Sequence, residues 1–272
     1  MFKVDLMGKV GAPQGPEKSS RRILGCRVDG PTLDEALEMI AEFVSSGTPH
    51  YIVTLNAEIA YRASREPRLL EIINRASLVT PDGAGIVWAA RWLGKPVPER
   101  VTGIDLLEAL ASKAADKGWR LFLFGAAPGI AEKARDRLVS RYPGLKVVGT
   151  AHGYLSSGEE RDMLVRLKSL HPDILLVALG SPKQEYWIHR HLSDLGVPVA
   201  MGVGGALDVL AGEVRRAPLW MQRCGLEWLY RLLSEPKRIK RAWALPKFLW
   251  GVVRQILSEG RSSAPGRKEG AL

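Results

Sequence analysis

Sulfur chemistry is nearly absent from this sequence. Cys26 and Cys224 are the only cysteines in 272 residues, too few for a disulfide framework and too far apart in sequence to suggest a metal knuckle. A reducing, cytoplasmic setting fits that usage. No window supplies the ~18 consecutive apolar residues of a membrane-spanning helix, and the N-terminal stretch MFKVDLMGKVGAPQGPEKSS lacks the uninterrupted apolar core of a signal peptide. The expectation is a protein that is soluble or lies on a membrane. Several catalytic signatures are missing too. There is no GxGxxG and no GxxxxGK[ST], which weakens a dinucleotide or P-loop assignment. His152, His171, His189 and His191 form neither HExxH nor a Cys/His cluster and read as surface histidines. No Asp-x-Asp occurs, so a metal-chelating nucleotide-sugar site of the acidic kind is not supported. Phosphate charge would then be met by Arg, Lys and backbone N–H groups.

What the chain does have is a folded composition, 46% hydrophobic and 25% charged, and a formal net charge of +10. The charge is concentrated. Between Glu213 and Leu257 ten basic residues stand against three acids, so this stretch carries +7 and the remainder is close to neutral. A localised basic surface suits phosphate, whether in nucleic acid, anionic lipid or a phosphorylated substrate.

From about residue 23 to 210, short β-branched runs alternate with helical patterns. Strands are expected at 23–28, 51–55, 77–80, 120–125, 146–150, 174–179 and 198–203. Between them LDEALEMIAEFV, GIDLLEALASKAADKG, IAEKARDRLVSRYP and EERDMLVRLKSLHP carry apolar residues at helical spacing. Thr32 reads as an N-cap, and Pro128-Gly129 as the opening of a helix. The alternation predicts an α/β fold, a Rossmann-like and largely parallel sheet flanked by helices. After Gly212 the strand pattern stops. Short helices divided by Pro236 and Pro246 follow, with four of the eight tryptophans interleaved among cations. The expected organisation is a disordered extension over 1–20, an α/β catalytic domain over 21–212, a basic helical appendage over 213–258 that associates with membrane, and a disordered tail over 259–272.

Ligands of such folds sit beyond the carboxyl ends of the strands. Four strand ends carry notable residues: Thr54 and Asn56 in TLNAE, Asp82 and Gly83 in TPDGAG, Gly125 in GAAPG, and Gly180 and Gln184 in GSPKQE. Any one of them alone is as well explained by helix capping, and Asp before Gly is ordinary turn chemistry. Four at the same end of one sheet point to a site.

Taken with Arg100-Val-Thr-Gly-Ile-Asp105, GVGGALDVLAGEVRRAP and GLEWLYRLLSEPKRIKR, these loops resemble the WecG/TagA/CpsF glycosyltransferases, also called glycosyltransferase family 26, in order from about residue 23 to about 245. The resemblance implies an inverting, metal-independent hexosyltransferase with no cofactor. It would move a sugar from a UDP-sugar donor to a polyprenol-diphosphate-linked acceptor while attached peripherally to the inner face of the bacterial membrane. In the TagA branch the donor is UDP-N-acetylmannosamine and the acceptor undecaprenyl-diphosphate-N-acetylglucosamine, for wall teichoic acid. Sister branches use UDP-N-acetylmannosaminuronic acid or UDP-glucose.

Carried over by motif, the catalytic base falls on Asp82 with Thr54 beside it. Substrate-binding positions fall on Asn56, Arg100 and Gln184, with Gly83, Gly125 and Gly180 in the same loops, and the acceptor diphosphate on Arg231, Arg238 and Arg241. Gly83 and Gly85 would remove side chains where a sugar must approach. Cationic, aromatic helices such as LPKFLWGVVRQIL suit a membrane interface. A chain cut after about Gly212 is expected to keep a folded core and lose turnover on lipid acceptor. The rival reading is a nucleic-acid-binding α/β protein using its basic tail; the resemblance implies no nucleic-acid partner, and it leaves a homo-oligomer open.

Overall fold

The computed structural model describes residues 21–234 and 243–262, and a Leu24-Gly25 turn stands near the start of the first segment. Leu24 (φ 49°) and Gly25 (φ 85°) are both left-handed, the geometry of a two-residue hairpin. The turn folds β1 (Arg21–Ile23) antiparallel on β2 (Cys26–Val28). The single strand expected over 23–28 is therefore two, and it stands outside the main sheet. It caps that sheet's edge instead. The Asp29 amide donates to the Val79 carbonyl at 2.9 Å and the Asp29 carboxylate accepts from the Val79 amide at 2.8 Å, covering edge groups that would otherwise invite pairing.

The other strand positions hold, within a residue or so. After α1 (Leu33–Ser46) come β3 (His50–Leu55), α2 (Ala57–Ala63), α3 (Pro67–Arg75), β4 (Leu78–Pro81), α4 (Ala84–Trp92), α5 (Gly103–Lys117), β5 (Arg120–Gly125), α6 (Ile130–Arg141), β6 (Lys146–Ala151), α7 (Ser157–Leu170), β7 (Ile174–Ala178), α8 (Lys183–His191), β8 (Val199–Gly202) and α9 (Ala206–Leu210). Thr32 caps α1 in a reciprocal box: its Oγ1 accepts from the Glu35 amide and the Glu35 carboxylate accepts from the Thr32 amide. The six strands β3 to β8 form one sheet in the order β4-β3-β8-β7-β5-β6, every neighbour parallel. Parallel sheets are covered on both faces, which is why HYIVTL and ILLVA read as continuous apolar runs. Tyr51, Val53 and Leu55 face a layer built on α2, α3, α4, α7 and α8, while Ile52, Leu123 and Met201 face α1, α5, α6 and α9.

The C-terminal helices are α10 (Leu219–Arg223), α11 (Glu227–Ser234) and α12 (Ala244–Ser262). Pro246 does not divide them. It lies in the first turn of α12, where a missing N–H costs nothing. The helix also runs four residues beyond the expected boundary at 258. Its Phe248 and Val252 are completely buried in the same apolar layer as α2 and α4. Gln255 fastens it to the hairpin, accepting from the Leu24 amide and donating to the Arg22 carbonyl, each at 2.9 Å. The last helix is thus part of the core of the α/β body, and the expectation that a chain cut after Gly212 keeps that core intact is revised. Of the disordered segments expected at 1–20 and 259–272, residues 1–20 and 263–272 lie outside the described residues.

Candidate active site

The sheet order decides which strand ends meet. β4, β3, β8 and β7 are consecutive neighbours, so the loops leaving their carboxyl ends converge on one cleft of about 310 Å³. Its walls include Thr54, Asn56, Asp82, Gly83, Arg100, Gly180 and Gln184. Seven of the residues expected from sequence are therefore brought together. Gly125 ends β5, one strand further along, and is not in this wall.

Asp82 is held by its backbone: its amide donates to the Leu55 carbonyl at 2.9 Å, extending the β3–β4 pairing by one bond. The amide of Gly103, first residue of α5, points at Asp82 Oδ2 at 3.4 Å, so the positive end of a 15-residue helix faces the carboxylate. Gly83 has φ 82° with open space beyond, a conformation that asks for glycine. Gly85 has a different reason. A Cβ there would stand 3.1 Å from Ala57 Cβ, so this glycine, itself in the cleft wall, also serves the packing of α4 on α2.

Thr54 is buried, its hydroxyl donating to the Gly202 carbonyl at 3.4 Å and packing against Gly103. Asn56 caps α2, Oδ1 accepting from the Ile59 amide at 3.0 Å, within the cleft wall. Gln184 is only 3% exposed. Its Oε1 accepts from the Gly204 amide at 3.0 Å and its Nε2 donates to Glu185 at 2.9 Å, so it braces the turn after β8. Glu185, just as buried, was not singled out by the sequence reading. Burial leads the effects on its carboxyl and pushes it above the usual range, against the hydrogen bond from Gln184.

Sequence reasoning also missed a charged chain across the cleft. Arg100 Nη1 lies 3.7 Å from Glu227, Glu227 lies 3.6 Å from Arg216 Nε, and Arg216 Nη1 lies 2.6 Å from Asp105. Asp105 also accepts from the Thr102 hydroxyl at 2.6 Å. Burial works to raise the Asp105 carboxyl, but hydrogen bonds from Arg216 and Thr102 and the nearby guanidinium charges outweigh it and hold it below the usual carboxylate range. The network ties α11 to the start of α5, the turn that also faces Asp82. Trp228 and Leu232 of α11 and Ala244 and Leu245 of α12 complete the wall. Arg231 sits on α11 with its side chain outside the described residues, where Arg238 and Arg241 also lie. Among the described residues no three His, Cys, Asp or Glu side chains converge as a metal site would require, and no helix is long and apolar enough to cross a membrane.

A second, larger cavity of about 1020 Å³ opens past β5 and β7, with Ala126, Tyr154, Lys183 and Asp208 among its lining residues. Gly125, which precedes the lining residue Ala126 but is itself outside both cavity walls, is glycine for a packing reason: a Cβ on this residue (φ 126°) would fall 2.4 Å from the Ala178 carbonyl. Gly125→Ala is expected to cost at least about 1–3 kcal/mol of stability, read as a lowered midpoint in urea unfolding. An unchanged midpoint would show that the β5–β7 contact relaxes freely.

The sequence profile described as the Glycosyl transferase WecG/TagA/CpsF family matches residues 21–262. A Bacillus spizizenii protein named N-acetylglucosaminyldiphosphoundecaprenol N-acetyl-beta-D-mannosaminyltransferase is 37% identical over 214 residues, covering 79% of this chain and 81% of its own length. A Staphylococcus aureus protein of the same name is 36% identical over 234 residues, covering 85% of this chain and 91% of its own.

Proposed function

The chain belongs to the WecG/TagA/CpsF glycosyltransferase family, and from that premise we propose that it transfers N-acetylmannosamine from UDP-N-acetylmannosamine to N-acetylglucosamine carried on undecaprenyl diphosphate. The observation that carries the reading is the convergence of Asp82, Thr54, Asn56 and Arg100 in one cleft whose far wall is the C-terminal helices. It is supported by relatives whose names state that transfer and acceptor.

In the proposed mechanism Asp82 takes the proton from the attacking acceptor hydroxyl. The new glycosidic bond forms at the anomeric carbon as the bond to UDP breaks on the opposite face, inverting the configuration. The leaving diphosphate is stabilised by Arg100 and backbone N–H groups, without a metal ion. Asn56 and Thr54 orient sugar hydroxyls without adding charge. The nucleotide half of the donor is assigned to the larger neighbouring cavity, because the smaller cleft must also admit the acceptor sugar. Arg231, Arg238 and Arg241 are assigned to the acceptor diphosphate through the family motif in which they fall.

The lipid acceptor calls for a bilayer-facing surface. On α12, Trp250, Val253 and Leu257 form an exposed stripe with Lys247 and Arg254 beside it, opposite the buried Phe248 and Val252. Peripheral attachment through this helix follows from the proposal. The test is a panel of UDP-sugars incubated with the full chain and a lipid-diphosphate N-acetylglucosamine analogue. UDP-N-acetylmannosamine is expected to be consumed, the new linkage to be inverted, and the rate to be unchanged by a chelator. Consumption of a different UDP-sugar would move the substrate assignment to another branch. A rate lost with chelator and restored with magnesium would end the metal-free mechanism.

A further inference from the structure

We infer that α4 extends the membrane-facing surface from the C-terminal helices onto the α/β body, through Trp88 and Trp92. The inference rests on the proposed lipid-linked acceptor. Ile86, Ala89 and Ala90 bury the inner side of α4 in the core, and the outer side of a helix in that position ordinarily carries polar residues. Here it carries two tryptophans one turn apart, Trp88 at 39% and Trp92 at 51% exposure. A large ring with one polar N–H is the side chain suited to a boundary that is apolar on one side and wet on the other.

The two rings do not stand alone. Gly225, in the turn between α10 and α11, packs on α4: a Cβ there would lie 2.7 Å from Ala84 Cβ and 3.6 Å from the Trp88 ring. That turn is flanked by the exposed Leu219, Trp220 and Trp228, and Trp228 also lines the cleft. The aromatic surface is thus continuous from α4 to the rim of the site.

Charge selects the occupant. Residues 84–95 and 219–226 contain no acidic residue, and their charged side chains, Arg91, Lys95 and Arg223, are all exposed cations. An anionic bilayer complements such a surface. A second copy joined by a two-fold axis would bring together two surfaces whose charged side chains are all cations. Docking by α4 together with α10 turns the cleft mouth toward the membrane, where an acceptor anchored by its lipid must present its sugar.

The experiment compares the full chain with a Trp88→Ser, Trp92→Ser double variant in co-flotation with vesicles of phosphatidylglycerol and phosphatidylcholine, and of phosphatidylcholine alone. Vesicle partition is expected to fall on the order of tenfold or more, as two partly exposed rings lose their apolar phase. Transfer to lipid acceptor in vesicles should fall with it, while transfer to a short-chain, water-soluble acceptor stays unchanged, which shows that the fold survives the loss of the packed part of each ring. Unaltered partition overturns the inference. So does a parent dimer that the double variant splits in analytical ultracentrifugation with partition unaltered, which would make the face a contact between copies. Vesicle partition requires no sugar transfer, so a parent chain that binds vesicles through α4 yet transfers no sugar defeats the proposed reaction and leaves this surface standing.

Discussion

Asp82→Asn is expected to lower kcat by about 10²–10⁴-fold, the range contributed by a positioned general base, while KM for the UDP-sugar changes little. The substitution is chosen to separate chemistry from architecture. The backbone bond from residue 82 to the Leu55 carbonyl is kept, and the new amide oxygen can still accept from the Gly103 amide. What is removed is the capacity to take a proton. Initial rates with water-soluble acceptor, beside an unfolding curve for each protein, make the comparison. A variant that folds like the parent and turns over like it would remove Asp82 from the reaction. A variant with lost activity and a matching loss of stability would assign the residue to the turn alone.

The charged chain from Arg100 to Asp105 gives this carboxylate its setting. Two guanidinium groups and two carboxylates alternate, so neither Arg100 nor Arg216 is left uncompensated where the cleft is partly closed to water. Because Glu227 belongs to α11 and Asp105 to α5, seating α11 completes the electrostatics of the cleft. A diphosphate arriving near Arg100 would compete with Glu227 for it, and the 3.7 Å separation of that pair is longer than a tight ion pair.

How much of this could be read beforehand varied with the kind of interaction. The α/β class was legible because buried parallel strands leave continuous apolar runs such as ILLVA and their helices leave periodic ones. Thr54, Asn56 and Asp82 were legible because strand ends are where such folds place ligands. The order of the strands was not, and it alone separates Gly180 and Gln184, which meet Asp82, from Gly125, which does not. Gly125 was grouped with the substrate-loop glycines by motif, while its φ and its contact with Ala178 are tertiary facts. Asp105, Arg216 and Glu227 lie up to 122 residues apart in sequence, within motifs that were quoted, yet nothing local says that they touch. The hairpin at Leu24-Gly25 was misread because ILGCRV is apolar enough to pass for one strand; the glycine in its middle was the available signal.

The second large effect concerns α12. Phe248→Ala is expected to destabilise the full chain by about 3–5 kcal/mol, a large share of the roughly 5–15 kcal/mol that keeps a domain folded. The ring is wholly buried and its edge lies near Gly85, so no solvent-side rearrangement can fill the space it leaves. Trp250→Ser, two residues away on the exposed side, is expected to shift the urea midpoint little and vesicle binding substantially. The core role of α12 and its proposed membrane role are thus separable, and the pair of variants distinguishes them. A chain ending at Gly212 loses Phe248, Val252 and the Gln255 clamp together. It should therefore unfold at a lower urea concentration or fail to fold, and cannot serve as a membrane-free control for activity. A truncated chain with the parent's cooperative transition would place α12 outside the core and restore the simpler picture of a detachable appendage. Because α12 is part of the core, the proposed membrane attachment would be linked to folding: a bilayer that binds only the folded chain stabilises the whole body by mass action, and the resulting rise in unfolding midpoint on adding anionic vesicles should be absent or reduced for Trp250→Ser.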